Sequence, residues 1–268
     1  MSAPVNAPDA APSPDAGSEP HPLTAFHWWR TVFWLIPCIT VYTIVLGTLS
    51  IGSSFFSPKG YFAHSCARAW SWLILATTGV RVQIRGLDRL EPGRTYVFAA
   101  NHQSIYDIPV IFTSLPYQLR IIAKDSLGSF PFLGWHLART GHLLVDRRKP
   151  DPRSVFAWAN ALTGKGLSLI VFPEGTRSAT GFVAPFKGGS LYPAVHAGLP
   201  IVPISIAGSR HVMRKNRLMT CPGEVELTIH EPIPTIAVAE PNIREVRALA
   251  SRVREIIKPP VEAEASRG

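Results

Sequence analysis

Cysteine is scarce in this chain. Cys38, Cys66 and Cys221 lie far apart, with no CxxC pair and no histidine at metal-ligand spacing. That pattern gives no support for a disulfide framework or zinc, names no metal ligands, and fits a reducing compartment. Lys/Arg tracts with interleaved aromatics are also missing, as is any groove-reading motif, so nucleic acid is not an expected partner. No G-x-S-x-G turn occurs, which removes the usual serine-hydrolase arrangement. The stretch "PFKGGS", with Lys187 before two glycines, lacks Walker spacing and is no nucleotide-binding loop.

Charge is missing from two further places. The first 22 residues hold Asp9, Asp15 and Glu19 but no Lys or Arg, so the rest of the chain carries +12 against +9 for the whole. A basic surface suits an anionic partner, and with 17% charged residues in a net hydrophobic chain, lipid suits it better than nucleic acid. Residues 31–58 contain no charged side chain at all. That is long enough to cross the hydrocarbon, for which a helix needs about 20 apolar residues. Trp28, Trp29 and Arg30 stand at its start as interfacial anchors would. Pro37 and Gly47 offer places where it could break and enter one leaflet only. Residues 61–80, with Arg68 among Trp70 and Trp72, read as an interfacial helix packed beside the first.

The organisation follows from these changes of texture. Residues 1–22, rich in Pro, Ala and Ser, form an expected disordered tail without a secretory signal. Residues 23–80 form membrane-associating helices, 81–260 an α/β domain, and 261–268 a flexible C-terminus. Within the domain, "VRVQIRG", "TYVFAANH", "LRIIAKD", "GHLLVDR", "LSLIVFPEG", "LPIVPISIAG" and "GEVELTIHEPI" read as strands. Helices are expected at 107–115, 152–163, 191–197 and 243–258. Strand–helix alternation predicts a mostly parallel or mixed sheet flanked by helices.

In such sheets ligands gather beyond the carboxyl ends of the strands. Three polar clusters fall there: His102 and Asp107 in "NHQSIYD", Lys124 and Asp125, and Glu174–Arg177 in "FPEGTRS". Residues five apart cannot meet on a continuous helix of 3.6 residues per turn. If the chain turns at Gln103–Ser104 and the helix starts later, with Pro109 in its first turn, His102 folds back onto the carboxylate. Asp107 would then accept the Nδ1–H, fix the tautomer and leave Nε2 as a general base. With no nucleophile beside it, the base would serve a substrate hydroxyl. Arg177 supplies a fork of donors for phosphate or carboxylate. Gly175 permits a sharp turn, Thr176 offers a hydroxyl, and Glu174 could accept from a substrate or hold Arg177.

These motifs together resemble the glycerolipid acyltransferase family, most closely the 1-acylglycerol-3-phosphate acyltransferases, over residues 80–235. "NHQSIYD" matches the His-x4-Asp motif, "GHLLVDR" the second at Gly141, Asp146 and Arg147 (with Leu144 where an aromatic is common), "FPEGTRS" the third, and "LPIVPISI" the fourth. The resemblance implies transfer of an acyl group from acyl-CoA or acyl-carrier protein to the sn-2 hydroxyl of 1-acylglycerol 3-phosphate. It implies His102 and Asp107 as the catalytic pair, and Lys124, Arg147, Glu174, Gly175, Thr176 and Arg177 as substrate-binding residues, Lys187 being a weaker candidate. No metal or resident cofactor is expected. It also implies a lysophospholipid acceptor, a bilayer partner, an acyl-chain groove, and a place at a bacterial inner membrane with the catalytic domain on the cytoplasmic side. The same chemistry could serve lyso-ornithine lipid, another lysophospholipid or glycerol 3-phosphate. A non-catalytic membrane-binding module would have no need of the base.

Overall fold

The computed structural model describes residues 24–56, 60–146 and 152–266; the expected tail over residues 1–22 lies outside them. The uncharged segment folds as one run of helix from Ala25 to Ser53, made of α1 (Ala25–Arg30), a π-helical turn (Thr31–Leu35) and α2 (Ile36–Ser53). Neither Pro37 nor Gly47 breaks it. A proline inside an α-helix clashes with the carbonyl four residues back, and the π turn just before Pro37 widens the helix where that clash would fall. Gly47 is used for packing. A Cβ there would lie 2.9 Å from the Cβ of Phe132, whose own φ is +60°. Among the described residues this run is the one helix long and apolar enough to cross a membrane. Trp29, Phe33, Trp34 and Val41 stand exposed on it. The next helix, α3 (Tyr61–Thr78), packs against α2; Trp70 Nε1 donates to Thr43 Oγ1 at 3.0 Å.

All seven expected strands form, and they make one sheet: β1 (Val80–Arg85), β2 (Val97–Ala100), β3 (Leu119–Lys124), β4 (Leu143–Val145), β5 (Ser168–Val171), β6 (Ile201–Ala207) and β7 (Gly223–Ile229), in the order β1-β7-β6-β2-β5-β3-β4. Strands β2 to β6 run parallel, while β7 is antiparallel to β6 and parallel to β1, so the sheet is mixed. Alternation sorts β2 between two layers. Phe98 and Ala100 face a core shared with α3 and with α4 (Asp107–Ser114). Val97 and Ala99 face one shared with α7 (Tyr192–Ala197) and α9 (Ile243–Ala265). Both faces are covered, which is why this strand reads as a plain apolar run.

Three short or boundary features differ from the sequence reading. Helices α5 (Leu133–Arg139) and α8 (Ser209–Val212) have too few turns to show a period. Helix α6 (Pro152–Thr163) forms as expected. The last helix does not end at Lys258, and residues 261–265 are helical, not a loose end: α9 runs through Pro259 and Pro260 to Ala265. Its buried stripe of Val246, Ala250, Val253, Ile257 and Val261 continues across the prolines, and Glu264 Oε1 meets His211 Nε2 at 2.6 Å. Burial of that stripe offsets the two backbone bonds the prolines remove.

Candidate active site

Strand β2 ends at Ala100 in the middle of the sheet, and residues 101–106 carry the chain over its edge into α4. Asn101 pins the exit: its Nδ2 donates to the carbonyl of Ile206 at 2.8 Å and its Oδ1 accepts the Ile206 N–H at 2.7 Å. The helix starts at Asp107 with Pro109 in its first turn. His102 is thereby folded back, its Nδ1 2.7 Å from Asp107 Oδ2. That oxygen also accepts the backbone N–H groups of Gln103 and Ser104, at 2.8 and 2.9 Å. A carboxylate oxygen holding two donors meets Nδ1 as an acceptor, so the proton sits on Nδ1 and Nε2 carries the lone pair. Nε2 has no hydrogen-bond partner among the described residues. The pair is almost shut off from solvent, Asp107 fully and His102 to within 7%.

Strand β5 brings the second cluster alongside, since Ala99 pairs with Val171. Phe172 lays its ring over the His102 imidazole, with centroids 4.2 Å apart and planes 23° from parallel. Glu174 points inward. Its Oε1 accepts the backbone N–H of His102 at 2.7 Å and its Oε2 that of Ala184 at 3.1 Å. Both oxygens are taken up by the chain's own backbone, so Glu174 braces the His102 loop and does not hold Arg177. Burial pushes its carboxyl up from 4.5 to about 7, helped by the charge of Asp107 and opposed by the two N–H donors and Arg254. The carbonyl of His102 accepts the Ser178 N–H at 2.7 Å, which completes the clamp.

Cations lie on the outer side of this turn. Gly175, at φ +73°, leaves room for Lys187, whose Nζ would stand 2.8 Å from a Cβ placed there. Lys215, outside every motif, donates from Nζ to the carbonyl of Arg177 at 2.8 Å and to Thr176 Oγ1 at 3.2 Å. Thr176 is exposed and Arg177 half-buried. Lys124 is exposed at the end of β3, on the same edge of the sheet but beyond β5. Gly141 and Asp146 bracket β4; Arg147 lies outside the described residues. Sequence reading passed over Phe172 and Lys215. The ring looked like part of an apolar strand, and Lys215 lies in "RKNR", with no spacing to connect it to the site. Among the described residues no group of three or more His, Cys, Asp or Glu could hold a metal ion.

A buried His–Asp pair stands at the end of a parallel strand, braced by a carboxylate and edged with cations, an arrangement chemically able to move a proton and to receive an anion. Over residues 81–207 the chain matches the acyltransferase family. Within that family it is similar to 1-acyl-sn-glycerol-3-phosphate acyltransferases. The Salmonella typhimurium enzyme is 29% identical over 234 residues, covering 85% of this chain and 91% of that one. The coconut (Cocos nucifera) enzyme is 34% identical over 176 residues, 65% of this chain. The match spans 55% of the coconut protein's own length. Among solved structures, the 1-acyl-sn-glycerophosphate (LPA) acyltransferase PlsC of Thermotoga maritima superposes with a TM-score of 0.76 at 29% identity, covering 89% of this chain and 95% of that one.

Proposed function

We propose that the chain moves a fatty acyl group from acyl-CoA or acyl-carrier protein to the sn-2 hydroxyl of 1-acylglycerol 3-phosphate, giving phosphatidic acid. The observation that carries this reading is the 2.7 Å contact between His102 Nδ1 and Asp107 Oδ2, which supports Nε2 as the base. Nε2 takes the hydroxyl proton as the oxygen attacks the thioester carbonyl. The C–O bond forms, the C–S bond breaks, and the proton passes from Nε2 to the leaving thiolate. No acyl-enzyme is formed, and backbone N–H donors stabilise the tetrahedral oxyanion. Arg177, with Lys187 and Lys215 beside it, receives the phosphate of the acceptor; Lys124 contributes from a neighbouring strand end, and Arg147 is assigned to the acceptor by its motif alone. Glu174 and Gly175 shape the turn that presents these groups.

The exposed aromatics of residues 24–80 support a membrane-associating unit feeding lipid to the α/β domain. At a bacterial inner membrane, with the basic domain on the cytoplasmic side, each well-placed cation adds about 1 kcal/mol of attraction to anionic head groups. An apolar cavity of about 160 Å³ beside the His102 loop suits the donor's acyl chain.

The test is free-thiol release from palmitoyl-CoA by detergent-solubilised protein, with 1-acylglycerol 3-phosphate, lyso-ornithine lipid or no acceptor, and products identified by mass. Thiol release matched by phosphatidic acid supports the reading. Release with the ornithine lipid alone keeps the chemistry and changes the acceptor. Thiol without acyl-lipid means hydrolysis, and silence with both CoA and carrier-protein donors means a non-catalytic module.

A further inference from the structure

Among the described residues, two apolar cavities border the His102–Asp107 loop. Both are lined by Ile105 and Pro109, inside and just after the catalytic motif, and both share the wall formed by Thr43, Trp70 and Phe132. From there they diverge. The smaller, about 160 Å³, runs under α4 to His136 and His142. The larger, about 570 Å³, runs the other way, between α2 at Leu35 and Ile39 and the segment holding Met213 and Leu218. The wall is fixed by an unusual backbone: Phe132, at φ +60°, seats against Gly47 in a contact that any side chain at 47 would push apart.

We infer that the larger cavity is a second acyl-chain site, and that it holds the chain already present on the acceptor lipid. This rests on the proposed reaction, whose two substrates both carry acyl chains that must converge on one hydroxyl–carbonyl pair. Charge decides which chain goes where. The segment that lines the larger cavity at Met213 and Leu218 also carries Lys215, whose ammonium lies at Arg177 and Thr176. An amphiphile with an anionic head and an apolar tail therefore meets cation and cavity on one stretch of chain. Ser104 ties that stretch to the catalytic loop, its Oγ donating to the carbonyl of Met213 at 2.8 Å. The larger cavity also borders the exposed apolar face of α2, the side from which a lipid acceptor arrives: Ile36 and Ile44 line it while remaining 40% and 43% exposed. The donor chain, entering as a soluble thioester, takes the smaller cavity.

The experiment compares 1-acylglycerol 3-phosphates with hexanoyl and octadecanoyl chains, each with octanoyl- and palmitoyl-CoA, in the unaltered protein and in Leu218→Trp and Ile39→Trp. Filling the larger cavity should reduce kcat/KM for the long acceptor relative to the short one by about tenfold, the equivalent of two methylenes denied burial. The donor preference should keep its order. Leu218 is 53% exposed, so its replacement leaves the core alone. A second measurement needs no variant: an acceptor with a diazirine at its chain end, photolysed on the unaltered protein, should label α2 near Ile39 or the segment 213–218. A shift of donor preference in these variants, or label confined to His136 and His142, would overturn the assignment. So would an unchanged acceptor preference with label on lipid alone. If the unaltered protein ignores 1-acylglycerol 3-phosphate but uses another lyso-lipid, the proposed acceptor fails, and the same chain-length series on that lipid still decides the cavity. Use of no lyso-lipid would overturn both.

Discussion

Glu174 Oε1 accepts the backbone N–H of His102 at 2.7 Å, across 72 residues of sequence. Because Oε2 accepts a second backbone N–H, from Ala184, both oxygens of this side chain serve as acceptors. Glu174→Gln should therefore not be silent, since its amide NH2 must face one of those N–H groups. A loss of about 1–3 kcal/mol in unfolding free energy is expected, together with a lower kcat from a displaced His102. The pH dependence separates this role from simple packing. With its carboxyl raised to about 7, folded Glu174 keeps a proton that the unfolded chain releases near 4.5. Its contribution to stability is full below pH 4.5 and is lost as pH rises through 7, by about 3 kcal/mol in all. Urea unfolding of the natural protein and of Glu174→Gln, at steps across that window, should show the natural protein losing about that much stability relative to the variant as pH rises. A constant difference would remove the raised carboxyl from the account.

Asp107→Asn tests the orienting role. The Asn carbonyl can keep the N–H groups of Gln103 and Ser104, so the loop should hold its shape. The imidazole keeps its acceptor but loses the negative charge that stabilises it as it takes up the hydroxyl proton. A fall in kcat of about 10²–10⁴-fold is expected, with KM for donor and acceptor moved only a few-fold and the circular dichroism unchanged.

Phe172 should act on the same imidazole through its face. Offset ring contacts contribute about 0.5–1.5 kcal/mol, and the ring also limits rotation of His102. Phe172→Leu should lower kcat roughly 3- to 10-fold, while Phe172→Tyr, which keeps the stack, should restore most of it. Equal losses in both variants would mean that packing below the ring, not the stack, matters.

The contrast between what the sequence disclosed and what it hid has a physical basis. Val97–Ala100 and Ile201–Ala207 are legible because a strand covered on both faces must be continuously apolar, and His102 with Asp107 because two proton-handling groups rarely follow such a strand by chance. The pairing of β7 antiparallel to β6 was not legible, since period-two alternation carries no direction. Glu174 looked like a ligand-binding acid because its spacing says nothing about which way it turns; its burial decided that. The extension of α9 past Pro259 was hidden because proline is locally a helix breaker, and only the stripe ending at Val261 outweighs it. Lys215 joins the site through the return of the chain after β6, a tertiary fact.

Lys215→Ala should weaken use of a phosphate-bearing acceptor. Its ammonium supports the Arg177 carbonyl and stands where a head group would dock. A hydrogen bond to a charged group is worth about 1.5–3 kcal/mol, which predicts a KM for 1-acylglycerol 3-phosphate raised roughly 10- to 100-fold. The KM for the acyl donor should stay near its original value. Matching losses for both substrates would make Lys215 a prop of the Thr176–Arg177 turn.

Three histidines, His64 and His142 buried and His136 partly so, predict the response to acid. His64 and His136 are lowered from 6.5 to about 4, first by burial and then by the charge of Arg120, and His142 is pushed well below 6.5 by burial and by its neighbours His136 and Arg120. Their rings lie close together, His136 and His142 with centroids 5.6 Å apart, and His142 Nδ1 accepts the N–H of Ile121 at 3.1 Å. In the unfolded chain each takes up a proton near pH 6.5, which the folded chain refuses. Stability from these groups is thus full above 6.5 and is lost as pH falls towards 4, the reverse of Glu174. Between pH 7 and 5, His64 alone should account for about 2 kcal/mol. His64→Leu, apolar and of comparable size, should flatten the fall in urea midpoint over that range. If the midpoint of His64→Leu falls as steeply as that of the natural protein, the protein admits a proton to His64 without unfolding.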